Sequence, residues 1–539
     1  MKVLIIGGVA AGTKVAAKLK RENYDCDVTI LTKSKDISYA GCGLPYYVGK
    51  LIEDGNQLIV NTPKSFSELT GVTVMTQTEV TKVNPTKKTV EALDLKTQEN
   101  LKFDYDKLVI ASGAEAIKPN IDGINLKNVF FLRTPNDAYA LRNAVDSSEI
   151  KRAVIVGGGY IGLEIAENLS SQGIKTVIID MAKHILPGFD VEFSLYVENH
   201  LAEQGIVSFT ETTVEAVLGE EKVEKIKTNK RAIKADAVIF SVGIKANTSF
   251  LIDSGIELMP NKTIIVNEFF ETNIEDIYAV GDCASVTNRI TKEAFWSPMG
   301  STANIAGRIL AKNICGSKIA YPGVLGTSIA KLPNLNVGKT GLTEKAAKEL
   351  GFNPISVVAV VDDKAHYYPD ASSFIVKMIA DKETKELLGL QVLGKGAVDK
   401  MIDIAATAIS LKANLEDIKN MDLAYAPPFS TAIHPFSHTV NILLNKINGS
   451  FETIAPIAYA AGEAKDYKII DASINTTIDE ADYIDLTKIK GEIPEYKKDE
   501  KLLLVCSKGK RAYMLQKRLK NFGYINTRVL EGGTTFNNL

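Results

Sequence analysis

Cysteine is scarce, with five in 539 residues, an odd number. So few cannot staple a chain of this length with disulfides, which points to a reducing compartment. An unpaired cysteine in special surroundings then becomes a candidate reagent. Excess charge is missing too. Lysine plus arginine (63) nearly equals aspartate plus glutamate (65), a net charge of −2. No basic field is present to hold nucleic acid or an anionic lipid surface. No apolar run reaches the ~18 residues that span a bilayer. The apolar stretch 3–6 runs straight into glycines rather than into a signal-peptide core. The expected location is the cytoplasm, with neither membrane nor nucleic acid as partner. No two cysteines or histidines have zinc-ligand spacing, so no metal is expected. A serine-hydrolase reading lacks its G-x-S-x-G elbow.

What is present is enough apolar surface (45%) for several cores, and three or four domains at roughly 100–200 residues each. Residues 2–33 read as strand (3–6), glycine turn (7–12), helix (13–23) and strand (28–31). The unit recurs at 153–180, with a strand at 153–156, a turn at 157–162, a helix at 163–172 and a strand at 176–179. Such βαβ openings predict parallel sheets with both faces covered. From about 325 the texture changes. Stretches 357–361, 373–379 and 387–393 read as antiparallel strands with a turn at 382–385, and helical stretches follow to about 418. The glycine-, proline- and alanine-bearing stretch 449–466 reads as a linker. Beyond it lies a small αβ segment.

Two glycine fingerprints about 150 residues apart, each between a strand and a helix, predict two dinucleotide sites. In the second, Gly157 permits the tight turn, Gly159 lets backbone approach a pyrophosphate, and Gly162 lets helix pack on strand. Phosphate would sit at the helix N-terminus. Asp180 ends the next strand, where an acid accepts from a ribose 2′-hydroxyl and repels a 2′-phosphate. NADH is thereby favoured over NADPH, with Lys183 and His184 weakening the preference. The first fingerprint keeps Gly7, Gly8 and Gly12 but has Val9 at the second glycine position and Thr32 where the ribose acid is expected. Two later segments support it. Residues 105–114 (YDKLVIASGA) enter a small-residue turn at Ser112 and Gly113. Residues 277–284 (IYAVGDCA) place Gly281 and Asp282 after a strand, where an aspartate can hold a ribityl hydroxyl.

At these residues the chain resembles the pyridine nucleotide–disulfide oxidoreductases, over about residues 1–450. The resemblance implies an α/β fold. It places a discontinuous Rossmann-like FAD domain at 1–115 and 245–325, an inserted Rossmann-like NAD(P)H domain at 116–244, and an α+β dimerisation domain at 326–450. Segment 38–47 (SYAGCGLPYY) is the most telling. Members of this family often carry C-x₄-C, yet the residue five after Cys42 is Tyr47. A lone thiol can form a mixed disulfide, a persulfide or a sulfenic acid instead. The segment is similar to the single-cysteine branch: coenzyme A-disulfide reductases, coenzyme A-persulfide or polysulfide reductases, and NADH oxidases or peroxidases. A lowered pKa at Cys42, from a helix start or from the flavin, is expected for such a nucleophile.

Lys14, Lys18 and Arg21 share one helical face, and a cationic stripe there suits the phosphates of coenzyme A. The resemblance adds Ser38 and Gly41 as coenzyme A contacts. It also implies a tyrosine reaching the other subunit's cysteine site, either Tyr425 in AYAPPFS or one of Tyr367 and Tyr368. A homodimer with shared sites follows. At the C-terminal end, an apolar strand at 501–505 leads into Cys506 and C-S-K-G-K-R, ending at Arg511. This is similar to the C-terminal half of a rhodanese, a small α/β domain expected at 465–539, with Cys506 carrying sulfane sulfur and Arg511 tying its loop. Cys283 reads as a packing residue. The expected activity is NAD(P)H-dependent, FAD-dependent reduction of coenzyme A persulfide, coenzyme A disulfide or polysulfide. The alternatives are an NADH oxidase or peroxidase cycling through Cys42 sulfenic acid, and an FAD-binding redox sensor.

Overall fold

The computed structural model describes residues 1–539. The chain forms two compact units, Met1–Ile185 with Ala202–Val324, and Leu186–Leu201 with Leu325–Leu539. No helix is long and apolar enough to cross a membrane.

In the first unit, the runs KVLII and RAVIV become the middle strands of two five-stranded parallel sheets. Lys2–Ile6 lies between Asp27–Thr32 and Lys107–Ile110, with Thr73–Thr76 and Ile277–Ala279 outside. Arg152–Val156 lies between Lys175–Ile179 and Ala237–Phe240, with Val207–Phe209 and Val129–Phe131 outside. Strands covered on both faces must be apolar throughout, which is why these runs do not alternate. Val3 and Ile5 pack under the helices Ala10–Glu22 and Gly300–Ile314. Leu4 and Ile6 face the other way, against Val80, Val83, Val90 and Ala92 of an antiparallel three-stranded sheet. The two crossing helices begin at Ala10 and Tyr160, three residues earlier than the sequence pattern predicts. The turn at the first glycine of each fingerprint leads almost directly into the helix.

The second unit holds a five-stranded antiparallel sheet in the order Ser328–Leu332, Leu335–Gly341, Leu387–Gly394, Ser373–Asp381, Pro354–Asp362. Helices Val398–Ser410 and Pro435–Ile447 pack near it. The second of these was not expected. Its N-cap is His434, whose Nδ1 accepts from Phe436 N–H at 3.2 Å, an uncommon cap that no sequence signal marks. Residues Leu186–Leu201, expected within the stretch 116–244, belong instead to this unit. The reason is a buried ammonium: Lys377 Nζ contacts Glu192 at 2.6 Å, Glu344 at 2.8 Å and Asp190 at 3.2 Å. The three carboxylates together push the Lys377 ammonium up against the pull of burial.

A small parallel sheet follows, in the order Thr453–Ile454, Thr527–Leu530, Leu502–Val505, Lys468–Asp471, Asp482–Tyr483. The expected linker 449–466 is therefore a correction. Thr453–Ile454 is a strand of this sheet, Pro456–Ala460 is a helix, and Ile454 and Ala464 are buried with Leu503, Val505 and Leu530. A compositional reading saw glycine and proline and missed these apolar anchors. Nor is the sheet loosely tethered. The buried Glu531 carboxylate accepts from Val358 N–H of edge strand Pro354–Asp362 at 2.8 Å, from Lys446 Nζ at 2.5 Å and from Thr453 Oγ1 at 2.6 Å. Phe536 stacks on Tyr196 with ring centres 5.4 Å apart. Replacing Glu531 with Ala strands a strand N–H and a cation. Urea unfolding should show a loss of about 3 kcal/mol, with Glu531→Gln losing less.

Candidate active site

Each glycine fingerprint builds a cradle. Gly7 and Gly157 sit at φ +109° and +111°, and a Cβ on either would lie 2.1 Å from Ala111 O or 2.3 Å from Ser241 O. Only glycine fits there. A Cβ on Gly12 or Gly162 would lie 1.9 Å from the Gly7 or Gly157 carbonyl oxygen, so each helix rests on its own strand end. Beside Gly159 a Cβ would meet nothing within 4 Å, leaving open space at the helix start where an anion is favoured. Val9, in the matching place of the first turn, is the N-cap of helix Ala10–Glu22. Gly8 is closely packed, since a Cβ there would lie 3.0 Å from Ile37 and 3.3 Å from Thr32. Asp180 is oriented by backbone: Oδ2 accepts from Gly158 N–H at 2.7 Å and Oδ1 from Ala182 N–H at 2.8 Å. The residues present fit a dinucleotide at each turn.

The other expected cofactor residues are partly engaged with protein. Ser112 Oγ donates to Asn247 O at 2.6 Å, and Asn247 Nδ2 returns a bond to Ser112 O at 3.1 Å. The hydroxyl thus ties backbone, while Gly113 (φ +69°) faces open space. Gly281 sits at φ +82°, 2.9 Å being all that would separate its Cβ from the Ala11 side chain. Asp282 Oδ2 accepts from Arg133 Nη2 at 2.6 Å, and Arg133 Nε donates to Ala114 O at 3.0 Å. Arg133 carries no motif and the sequence reading missed it. Cys283 is packing, as expected: it is buried and its thiol donates to Ile110 O at 3.5 Å and Val280 O at 3.4 Å.

Cys42 stands in the turn Gly41–Gly43, just before helix Leu44–Val48. Ser38 N–H bonds to Gly8 O at 2.9 Å, returning the chain to the first glycine turn. Ser38 itself holds φ +47°, and its hydroxyl accepts from Asn61 Nδ2 at 3.2 Å. Gly41 has open space beside it. The Cys42 segment docks on helix Tyr160–Ser171. Tyr46 O–H donates to Glu164 Oε1 at 3.2 Å, and Gln172 Nε2 donates to Gly49 O at 2.9 Å. Tyr47 packs edge-on against Tyr139 at 5.5 Å, and Arg142 donates to its carbonyl at 2.5 Å. No second thiol can take the place Tyr47 fills.

The expected lowering of the Cys42 pKa is not what the chain alone provides. The residue is exposed by area, yet enough protein surrounds the sulfur that burial pushes the thiol up. The Glu164 carboxylate adds to the rise, and Arg133 opposes it. Burial likewise lifts the Glu164 carboxyl and, with Glu164, the Tyr46 phenol. The expected cationic stripe is also reduced. Lys18 pairs with Glu22, and Lys14 packs against helix Gly300–Ile314, where a Cβ on Gly307 would lie 3.2 Å from its own Cβ. Arg21 remains exposed.

In the second unit, Tyr425 stands close to Tyr367 and raises its phenol. Two of the candidate tyrosines are thus brought together, and both are largely exposed. Tyr368 is also exposed, with Lys364 over its ring. Cys506 is buried at the end of strand Leu502–Val505, and Ala512 N–H, from the first turn of helix Lys510–Asn521, points at its Sγ from 3.5 Å. Arg511 Nε donates to Ala472 O at 2.8 Å, tying loop to neighbouring loop. Lys508 pairs with Asp362. Gly532 and Gly533 close the loop from outside: Thr534 N–H bonds Cys506 O at 3.2 Å and Thr535 N–H bonds Ser507 O at 3.1 Å. A Cβ on Gly533, at φ +53°, would lie 2.0 Å from Cys506 O. Gly533→Ala should cost about 2 kcal/mol and expose the loop. Iodoacetamide labelling of Cys506, slow in the native chain, should then be fast.

Residues 1–299 match the model of the pyridine nucleotide-disulphide oxidoreductases, and residues 328–435 match the dimerisation domain of the same group. An NADH oxidase of Methanocaldococcus jannaschii is 32% identical over 83% of this chain and 100% of its own. An NAD(P)H coenzyme A polysulfide/persulfide reductase of Pyrococcus horikoshii is 34% identical over 82% of this chain and 98% of its own. The crystal structure of reduced CoADR-RHD from Bacillus anthracis superposes with a TM-score of 0.94 at 31% identity, covering 99% of this chain and 97% of that one. With the two glycine cradles and the antiparallel sheet between them and Cys506 in chain order, these likenesses place the chain in the pyridine nucleotide-disulphide oxidoreductase family, which works with FAD and NAD(P)H.

Proposed function

We propose that the chain is an FAD-dependent NAD(P)H reductase of coenzyme A persulfide, coenzyme A disulfide or polysulfide. Its single redox cysteine is Cys42, and a rhodanese-like domain handles sulfane sulfur at Cys506. One observation carries the reading. Tyr47 fills the position of a second thiol and is packed on Tyr139 and Arg142, so the sulfur partner of Cys42 must come from the substrate. The Gly7–Gly12 turn, Gly113, Gly281 and Asp282 would hold FAD, and the Gly157–Gly162 turn with Asp180 would hold NAD(P)H, with NADH preferred. Bound FAD supplies the two electrons, drawn from NAD(P)H, that return a mixed disulfide at Cys42 to thiols.

The chain's own sulfur does the rest. Cys42 attacks a sulfur–sulfur bond, keeps one half as a mixed disulfide and releases the other as a thiol or hydrogen sulfide. At Cys506 a helix N-terminus and the loop's basic residues favour an anionic sulfur. The domain division proposed is 1–115 with 245–325 for FAD, 116–244 for NAD(P)H apart from 186–201, and 326–450 for dimerisation. The rhodanese-like domain begins near Phe451 rather than at 465. Tyr367 and Tyr425, exposed and adjacent, are offered to the partner copy in a homodimer. Lys14, Arg21, Ser38 and Gly41 remain the proposed coenzyme A contacts, with Lys18 contributing less because of Glu22. The reducing cytoplasm is the proposed setting.

NADH consumption with coenzyme A persulfide, oxidised coenzyme A or oxygen separates the readings. The reductase releases hydrogen sulfide or thiol in step with NADH. An NADH oxidase, as the Methanocaldococcus relative is named, consumes oxygen instead, and a sensor turns over no more than one NADH per flavin. Cys42→Ser should keep the yellow flavin absorbance and lose sulfur reduction by roughly a thousandfold or more. Undiminished turnover by that variant overturns the role of Cys42.

A further inference from the structure

Nothing in the sequence pattern marks Glu164, yet among the charges around Cys42 it acts most strongly on the thiol. Tyr46 lies four residues after Cys42, one turn further along the same short helical segment. Its hydroxyl donates to Glu164 Oε1 at 3.2 Å. The segment cannot slide on helix Tyr160–Ser171: a Cβ on Gly49 would lie 1.9 Å from Asn168 Oδ1, and Gln172 Nε2 holds Gly49 O. Tyr46 is thus kept over Glu164, with the sulfur one turn away. The charges facing this group are Glu164 and Glu167 from the helix, Arg133, and Asp282. Burial and Glu164 favour the Cys42 thiol over the thiolate, and a thiol must lose its proton before it attacks. The Glu164 carboxyl is half-buried with a raised proton affinity, and the Tyr46 phenol bonded to it sits one turn from the sulfur, so the pair offers a place for that proton to go.

We propose that Glu164 is the proton station for Cys42, acting through Tyr46. The inference rests on the reading of Cys42 as the redox cysteine. In the first half-reaction the proton of the Cys42 thiol passes by way of the Tyr46 hydroxyl to Glu164. The sulfur attacks R–S–S–R′, forming Cys42–S–S–R and breaking the bond to R′S⁻. The same proton then returns to give R′SH. The balance is Cys42–SH + RSSR′ → Cys42–SSR + R′SH, with no net proton uptake and no oxidant beyond the substrate. Glu164 positions the proton and does not itself touch the reacting sulfurs.

Two measurements on NADH-reduced holoenzyme test this. Iodoacetamide alkylation, followed on the peptide carrying Cys42 across pH, reports the thiol directly. Glu164→Gln removes a facing negative charge and should lower the midpoint by roughly one pH unit, while Glu164→Asp keeps it near the native value. The second measurement is the rate of mixed-disulfide formation with two disulfides. Oxidised coenzyme A has a basic leaving thiol that needs the proton, whereas 5,5′-dithiobis(2-nitrobenzoate) has an acidic one that does not. Glu164→Gln and Tyr46→Phe should slow the first at least about tenfold relative to the second, which the lowered midpoint of Glu164→Gln speeds rather than slows. Equal slowing of both, or an unshifted midpoint in Glu164→Gln, overturns the proton role. If no sulfur substrate turns over at all, the reductase reading fails, and the alkylation midpoint still decides the Glu164–Cys42 coupling.

Discussion

Backbone meeting backbone at the two glycine turns is the constraint on which the first unit rests. The Gly12 and Gly162 positions admit no methyl group, because each faces a carbonyl oxygen of its own strand end. The helix therefore sinks onto the strand, and its free N–H donors emerge at the carboxyl edge of a parallel sheet, where negative charge is stabilised. The cysteine segment is placed by the same turn. Ser38 bonds back to Gly8, so the chain returns to the mouth of the first cradle before it reaches Cys42.

Around that sulfur, burial first and then charge favour the thiol over the thiolate. Burial and Glu164 act in that direction, and Arg133 alone opposes them while also pairing with Asp282. A free thiolate in a redox site is exposed to oxidation at any time. One turn after Cys42, Tyr46 bonds Glu164, and Tyr47, packed on Tyr139, stands where a second thiol would have to be.

The second unit uses buried carboxylates and a buried ammonium as bolts. Lys377 draws the segment Leu186–Leu201 to the antiparallel sheet, and Glu531 joins an edge strand, a helix and the small parallel sheet. An edge strand with unpaired N–H groups invites a partner, and Glu531 meets one of those groups from inside the molecule. The Cys506 loop is consequently docked, with Lys508 held by Asp362. Cys506 therefore sits in a fixed place.

The local features were legible in sequence because they depend on neighbours along the chain. Apolar runs 3–6 and 153–156, the glycine spacings, the 382–385 turn and the strand before Cys506 all depend on periodicity and backbone freedom within a few residues. The missing thiol opposite Cys42 was equally plain, since Tyr47 stands in the written order. Tertiary structure alone decided the rest, because those features depend on residues far apart in sequence. Glu164 reaches Tyr46 across 118 positions and Arg133 reaches Asp282 across 149. The apolar anchors of 449–466 had no visible partner until Val529–Leu530 paired with them. The direction of the Cys42 pKa shift belongs with these, since it is set by how much protein and which charges surround one sulfur atom.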